Sequence, residues 1–156
     1  MSTINILLAD DDIDDCIFFK EALEELQLDT NFTNVHNGEQ LMKLLQKSTS
    51  ELPDILFLDL NMPRKNGLSC LTEIKHNKRL KQLPVIIFST SFDENIADLL
   101  FKHGAQYYIC KPADFALLKK VIHQALILTK ETNSQPTREN FLLNNFKTIL
   151  RWKKIK

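Results

Sequence analysis

Five carboxylates lie within seven residues in the segment ADDDIDD (residues 9–15), directly after the apolar segment INILL. Two carboxylates about 4 Å apart repel each other by about 4 kcal/mol at an effective dielectric constant near 20, so water, a lysine or a bound cation must offset the charge. Aspartate is favoured at helix starts, and we therefore expect Asp12, Asp14 and Asp15 to cap the next helix and face solvent. Asp10 and Asp11 are the candidates for binding a cation.

Further polar groups follow three other apolar segments. Asp59 is the last residue but one of the segment DILFLDL, Ser89 and Thr90 end VIIFST, and the pair Lys111-Pro112 follows QYYIC. In an open parallel sheet, ligands bind outside the carboxyl ends of the strands, so these groups are expected to meet at one edge. Carboxylates suit a hard cation such as Mg²⁺, whereas lysine and serine suit phosphoryl oxygens.

The elements that must position these residues alternate along the chain. Short apolar segments predict five buried strands, at residues 4–9, 31–35, 54–60, 85–90 and 106–110. Segments with helical spacing follow them, at residues 13–26, 39–47, 68–77, 93–104 and 113–130. This alternation predicts an α/β fold, a doubly wound five-stranded parallel sheet with helices on both faces. The strands are too apolar for a sheet with one wet face.

The length of 156 residues suits one domain over residues 1–131, followed by a tail over residues 132–156 in which apolar residues recur at helical spacing. The formal net charge of zero gives no overall bias toward nucleic acid or membranes, although residues 1–31 are strongly acidic and residues 130–156 basic. The three cysteines are far apart in the sequence, as in reduced thiols. No signal peptide or membrane span is evident, which favours a cytoplasmic protein.

Four motifs, taken together and in order, resemble those of the receiver domain of two-component response regulators. They are the Asp10-Asp11 pair, D-L-N-M-P-x-x-x-G from Asp59 to Gly67, Ser89 after VIIF, and Y-x-x-K-P from Tyr108 to Pro112. The resemblance covers roughly residues 3–130 and includes stand-alone, chemotaxis-type members. It implies the flavodoxin-like strand order 2-1-3-4-5.

The resemblance also assigns a role to each residue at the edge of the sheet. Asp59 is similar to the phosphoacceptor, which takes a phosphoryl group as an acyl phosphate. Asp10, Asp11 and Asp59, with the backbone carbonyl of Asn61, resemble the ligands of Mg²⁺. Lys111 resembles the lysine that pairs with the phosphate.

Two further positions resemble the switch of the family. Ser89 stands where a hydroxyl moves toward the new phosphoryl group, and Tyr108 resembles the aromatic residue that then turns inward. The Lys111-Pro112 bond resembles one that the family holds in the cis form, which is uncommon for X–Pro bonds in folded proteins.

The function implied by the resemblance is that of a stand-alone response regulator rather than an enzyme. The phosphoryl donor would be a sensor histidine kinase or a phosphotransfer protein. The output would be phosphorylation-dependent binding of a downstream protein to the face formed by helix 4, strand 5 and helix 5. The tail is too short for a helix-turn-helix unit, so no direct DNA binding is expected. Its apolar stripe predicts that it modulates partner binding or self-association, which leaves a homodimer open.

Three alternatives remain at the level of sequence. Asp10, Asp12, Asp14 and Glu21 match positions 1, 3, 5 and 12 of an EF-hand, although Asp15 stands where that loop needs glycine. The acidic first strand end is also compatible with a haloacid dehalogenase-type phosphatase, although the chain lacks a cap domain and later paired acids. A pseudo-receiver, folded alike but acting only as a binding module, is the third.

Overall fold

The sheet contains five parallel strands in the order β2-β1-β3-β4-β5. The structure is a computed structural model that describes residues 3–47 and 51–144. The strands are β1 (Ile4–Ala9), β2 (Thr30–Val35), β3 (Ile55–Leu58), β4 (Val85–Ser89) and β5 (Tyr107–Cys110). The helices are α1 (Ile13–Leu26), α2 (Gly38–Gln46), α3 (Gly67–Lys75), α4 (Glu94–Lys102) and α5 (Phe115–Glu131). The predicted fold class and strand order are therefore confirmed.

Each face of the sheet has its own apolar core, because successive side chains of a strand point to opposite faces. In β1, Leu7 and Ala9 pack with residues of α2, α3 and α4, whereas Ile6 and Leu8 pack with residues of α1 and α5. Burial on both faces explains why the strands are continuous apolar segments rather than alternating ones.

Every α-helix of the described chain begins directly after an Asn or Asp whose side chain accepts a backbone hydrogen bond from the first turn. The capping residues are Asp12, Asn37, Asn66, Asp93 and Asp114. Such caps satisfy amide groups that have no partner within the helix. They also fix where each helix starts relative to the strand before it.

The described part of the tail packs on the exposed edge of β5. The Tyr108 amide donates to the carbonyl of Phe141 at 3.0 Å, and the Leu143 amide donates to the carbonyl of Tyr108 at 2.9 Å. Phe141 is fully buried in the core beneath α3 and α4, and Leu143 is buried in the core on the α1 and α5 side. The described part of the tail therefore contributes a buried side chain to each of the two cores.

Two sequence-based expectations reach beyond the described residues. Most of the helical stripe predicted for the tail lies after residue 144, and Leu142 forms a bridge to Tyr108 instead of a helical turn. The long connection KSTSELPD (residues 47–54) also includes undescribed positions. Among the described helices, none is long and apolar enough to cross a membrane.

Replacing Phe141 by alanine should lower the free energy of unfolding by about 3 kcal/mol, because it leaves a cavity where an aromatic ring was fully buried. Urea denaturation followed by circular dichroism measures the change. Glu139→Ala, two residues away and exposed, is the matched control and should stay within about 0.5 kcal/mol of the parent protein. Equal, small effects of the two changes would show that the tail does not belong to the core.

Candidate functional site

The polar residues predicted to meet at one edge of the sheet do so because they continue its hydrogen-bonding ladder. The Asp10 amide donates to Val35 at 3.0 Å, the Asp59 amide to Ala9 at 2.9 Å, and the Lys111 amide to Ser89 at 2.8 Å. Asp10, Asp59 and Lys111 each directly follow the last residue of a strand, which is β1, β3 or β5 respectively. Hydrogen bonds to neighbouring strands thus fix the position of their backbones.

Three carboxylates form an acidic cluster at this edge. Asp10, Asp11 and Asp59 each offer an oxygen, and these oxygens lie within 4.8 Å of one another. Asp10 is fully buried and Asp59 is 5% exposed, whereas Asp11 lies open to solvent. Oxygen ligands from carboxylates are the type that Mg²⁺ and similar hard cations prefer.

Lys111 places its ammonium among three carboxylates. Its Nζ atom lies 2.6 Å from Oδ2 of Asp10, 2.8 Å from Oδ2 of Asp15 and 3.5 Å from Oδ2 of Asp59. The Lys111 side chain is only 8% exposed, and its Nζ lies 5.3 Å from the centre of the Phe88 ring. The positive charge of this buried lysine offsets much of the repulsion in the acidic cluster.

Burial shifts the pKa values of these charged groups. Burial raises the pKa of Asp10 from 3.8 to about 6, against the lowering effect of Lys111 and of the Asp12 amide. Burial likewise raises the pKa of Asp59, although Lys111 counteracts it. Burial alone would lower the pKa of Lys111, but its hydrogen bonds with Asp10 and Asp15 outweigh that effect and raise it above the usual value.

The geometry of Asp10 fits a cation ligand. Its Oδ1 accepts the Asp12 amide at 2.9 Å, and its buried Oδ2 has Lys111, at 2.6 Å, as its partner among the described residues. A buried carboxylate oxygen is costly unless a charged group lies beside it. A divalent cation between Asp10, Asp11 and Asp59 would add positive charge to that of Lys111.

Asp15 is the functional residue that the sequence analysis misplaced. We expected it to cap helix α1 and face solvent, but Asp12 is the cap, and the side chain of Asp15 forms an ion pair with Lys111. The only sequence signal was the density of acids. Which acid faces Lys111 depends on the rotation of α1 and on the reach of a side chain 96 positions away.

The two predicted switch residues lie behind the acidic cluster. Ser89 is fully buried at the end of β4, and its Oγ accepts the Ser91 amide at 3.5 Å. The Tyr108 side chain is 1% exposed and already points inward, where its hydroxyl donates to the carbonyl of Ser91. Its ring meets Phe92 edge-on at 5.2 Å between centroids. Burial raises the pKa of Tyr108 to about 12, so the hydroxyl stays protonated.

One expectation about this site is wrong. The described chain contains no cis peptide bond, so the bond between Lys111 and Pro112 is trans. The trans form is the intrinsically favoured one, by about 0.5–1 kcal/mol for X–Pro bonds. The Asn61 amide lies 3.4 Å from Oδ1 of Asp59, whereas the role of the Asn61 carbonyl as a metal ligand stays a prediction.

Close packing explains why the motif that starts at Asp59 has glycine at position 67. A Cβ atom at this position would lie 2.3 Å from the backbone carbonyl oxygen of Asp59. No side chain fits such a distance, so the start of α3 can approach the end of β3 only with glycine here.

The EF-hand alternative is wrong, because Asp14 and Glu21 lie within α1 and not in a loop.

Asp10→Asn should raise the free energy of unfolding in the presence of a chelator by about 1 kcal/mol near pH 7.5, because it removes a buried charge whose pKa is raised. A group with a raised folded-state pKa loses its contribution to stability as the pH rises through that value, here about 6. The gain should therefore shrink as the pH falls below about 6 and should be lost below 3.8, the ordinary pKa of the group.

Urea denaturation at several pH values measures this difference. Asp14→Asn is the control, because Asp14 is an exposed acid in the first turn of the same helix. Its removal should slightly lower stability through the helix dipole. A loss of stability in Asp10→Asn at every pH would contradict the account of a costly buried carboxylate.

Comparison with known proteins agrees with the fold and the site. The model of the response regulator receiver domain family matches residues 6–123. The response regulator Rcp1 of Synechocystis sp. is 30% identical over 84% of this chain and 92% of its own length. A crystal structure of manganese-bound Rcp1 superposes with a TM-score of 0.74 at 29% identity, and covers 86% of this chain and 99% of that one.

The structure of the phosphorylated cyanobacterial phytochrome response regulator RcpA is equally similar. It superposes with a TM-score of 0.77 at 28% identity, over 87% of this chain and 100% of that one. None of these matches supports the haloacid dehalogenase-type alternative. The family model covers most of the chain, and the sheet has the flavodoxin-like strand order 2-1-3-4-5. The chain therefore belongs to the response regulator receiver domain family, a regulatory unit and not an enzyme.

Proposed function

We propose that this protein accepts a phosphoryl group on Asp59 from a histidine of a sensor kinase or phosphotransfer protein, with Mg²⁺, and signals by binding a downstream protein. The observation that carries the proposal is the meeting of Asp59 with two further carboxylates and a buried lysine at one edge of the sheet. Such a set combines a nucleophile with charges suited to a transferring phosphoryl group.

In the proposed reaction, a carboxylate oxygen of Asp59 attacks the phosphorus of the donor phosphohistidine. A new O–P bond forms, the P–N bond breaks, and the donor imidazole leaves with the electron pair and then binds a proton. Lys111, whose Nζ lies 3.5 Å from Oδ2 of Asp59, donates a hydrogen bond to a phosphoryl oxygen. Ser89, fully buried one strand away, offers its hydroxyl to another.

Asp10, Asp11 and Asp59 would hold the metal ion, since their oxygens lie within reach of a single cation. When bound, Mg²⁺ supplies positive charge to the phosphoryl oxygens and orients them for in-line transfer. The relatives support this reading of the cluster, because Rcp1 has been seen with Mn²⁺ and RcpA in a phosphorylated form.

The surface beside the acidic cluster suits a protein as the donor. The first turns of α1 expose Ile13, Ile17 and Phe18, at 66%, 48% and 49%. Phe18 also lines a cleft of about 330 Å³ that reaches Lys111. A histidine that approaches Asp59 belongs to a protein whose surface must cover this region, and exposed apolar side chains are typical of such contacts.

Incubation with acetyl phosphate and Mg²⁺ should add one phosphoryl group to the protein, and Asp59→Asn should abolish the addition because it removes the nucleophile. Intact-protein mass spectrometry measures the added mass. A chelator should have the same effect as the substitution.

The control is Asp12→Asn, which changes an exposed acid near the cluster that serves as the helix cap. It should be labelled as fast as the parent protein to within about threefold. Labelling of Asp59→Asn would refute the assignment of the phosphoacceptor. Absence of labelling in the parent protein would favour the pseudo-receiver.

The output face would be formed by α4, β5 and α5, as the resemblance to receivers implies, with the described tail as part of it. Arg138 binds α4 through Glu94 at 2.8 Å and Asp98 at 2.6 Å. Phe141 lies 6.3 Å from the ring of Tyr108, centroid to centroid. A movement of the Tyr108 side chain would therefore reach the tail directly, and through the tail it would alter the surface that a partner contacts.

Loading with Mg²⁺ and beryllofluoride, a mimic of the phosphoryl group, should raise hydrogen-exchange protection of the Tyr108 and Leu143 amides by about fivefold or more. Both amides bond across the junction of β5 and the tail. Attraction of Ser89 to the phosphoryl group should stabilise the inward Tyr108, which packs on Phe141. Hydrogen exchange followed by NMR measures the effect.

The amide of Ile4, which bonds to Asp29 at the opposite end of the sheet, is the internal control and should not change. Asp59→Asn should show no change at any of these amides. Full loading of the parent protein without altered protection at Tyr108 and Leu143 would contradict this route of output.

A further inference from the structure

Asp15 is a carboxylate in contact with the functional lysine but outside the acidic cluster. Its Oδ2 accepts a hydrogen bond from Lys111 Nζ at 2.8 Å, closer than the 3.5 Å between Lys111 and Asp59. It does not belong to the group of three oxygens that could share a cation. Its role is therefore directed at the lysine.

The position of Asp15 is fixed by local structure. Its backbone amide donates to Oδ1 of Asp12 at 3.0 Å, as part of the cap of α1. The side chain is 29% exposed, whereas that of Lys111 is 8% exposed. The carboxylate thus reaches inward from a rigid first turn and holds the ammonium on the α1 side of the site.

An ammonium has three protons to donate, and the carboxylates of Asp10, Asp15 and Asp59 already place three acceptors around Lys111. When a phosphoryl group is present on Asp59, its oxygens need one of these hydrogen bonds. Two oxygens that accept from the same nitrogen at about 2.8 Å lie roughly 4.5 Å apart, so the charge of Asp15 also repels the phosphoryl group.

We propose that Asp15 is a positioning residue that holds Lys111 and competes with the phosphoryl oxygens for it, which weakens the phosphorylated state of this chain. The inference rests on the proposed function of Asp59. One side chain of α1 would then set how stable the phosphorylated state is. The contact of Asp15 with Lys111 shifts the equilibrium toward the unphosphorylated protein.

The test is the affinity of the Mg²⁺-loaded protein for beryllofluoride, measured by ¹⁹F NMR. Asp15→Asn should bind about three- to tenfold more tightly, because Lys111 is released toward the phosphoryl position and a negative charge is removed. Asp15→Glu keeps the charge on a partly exposed side chain and should restore an affinity close to that of the parent protein.

Asp14→Asn separates contact from bulk charge, since it removes the same charge from the neighbouring, exposed position of the same helix. It should change the affinity less than twofold. Equal tightening by Asp14→Asn and Asp15→Asn, or unchanged or weaker binding in Asp15→Asn, would overturn the proposal. If the parent protein itself does not bind beryllofluoride, the proposed function fails, and not only the role of Asp15.

A kinetic measurement provides a second readout. The rate of labelling by acetyl phosphate should rise in Asp15→Asn, and the rise should be absent in a Lys111→Met background because the lysine carries the effect. A rise of the same size without the lysine would show that Asp15 acts by charge alone and would overturn its role as a positioning residue.

Discussion

The ion pairs of one buried lysine hold the site of this protein together. The ammonium nitrogen of Lys111 lies within 3.5 Å of carboxylate oxygens on Asp10, Asp15 and Asp59. Asp10 follows β1, Asp15 lies in α1, and Asp59 follows β3. Without a positive charge, two nearly buried carboxylates this close would repel each other strongly. The sheet places Asp10 and Asp59 close enough for both to contact Lys111, and the positive charge of the lysine reduces the repulsion between them. The raised pKa of Asp10 shows that the compensation is incomplete. That residual cost makes the site receptive to a further cation.

The sequence was informative wherever local patterns determine structure. β1 and α1 have the bounds that the apolar segment and the helical spacing predicted, and the strand order agrees with the resemblance to receivers. Asp10, Asp59 and Lys111 could be placed at one edge of the sheet because parallel strands all end there. These are consequences of periodicity and chain direction, which a single sequence contains.

The parts that escaped prediction depend on tertiary contacts. The ion pair of Asp15 with Lys111 is set by the rotation of α1 and by the reach of the Lys111 side chain, which no spacing in the sequence encodes. In the described part of the tail, the residues around Leu142 pair with β5, and Phe141 and Leu143 lie in opposite cores, although the sequence there has no strand pattern. The trans bond before Pro112 shows the limit of transferring a family feature to one chain.

The proposed function requires that the carboxylate of Asp59 is the group that accepts the phosphoryl group. Reductive trapping tests this most directly, since borohydride reduces an acyl phosphate to an alcohol and so converts the acceptor aspartate into homoserine. After incubation with acetyl phosphate and Mg²⁺, peptide mass spectrometry should find homoserine at position 59 and at no other aspartate. Homoserine at Asp10, Asp11 or Asp15, or a protein that stays unmodified, would contradict the central claim.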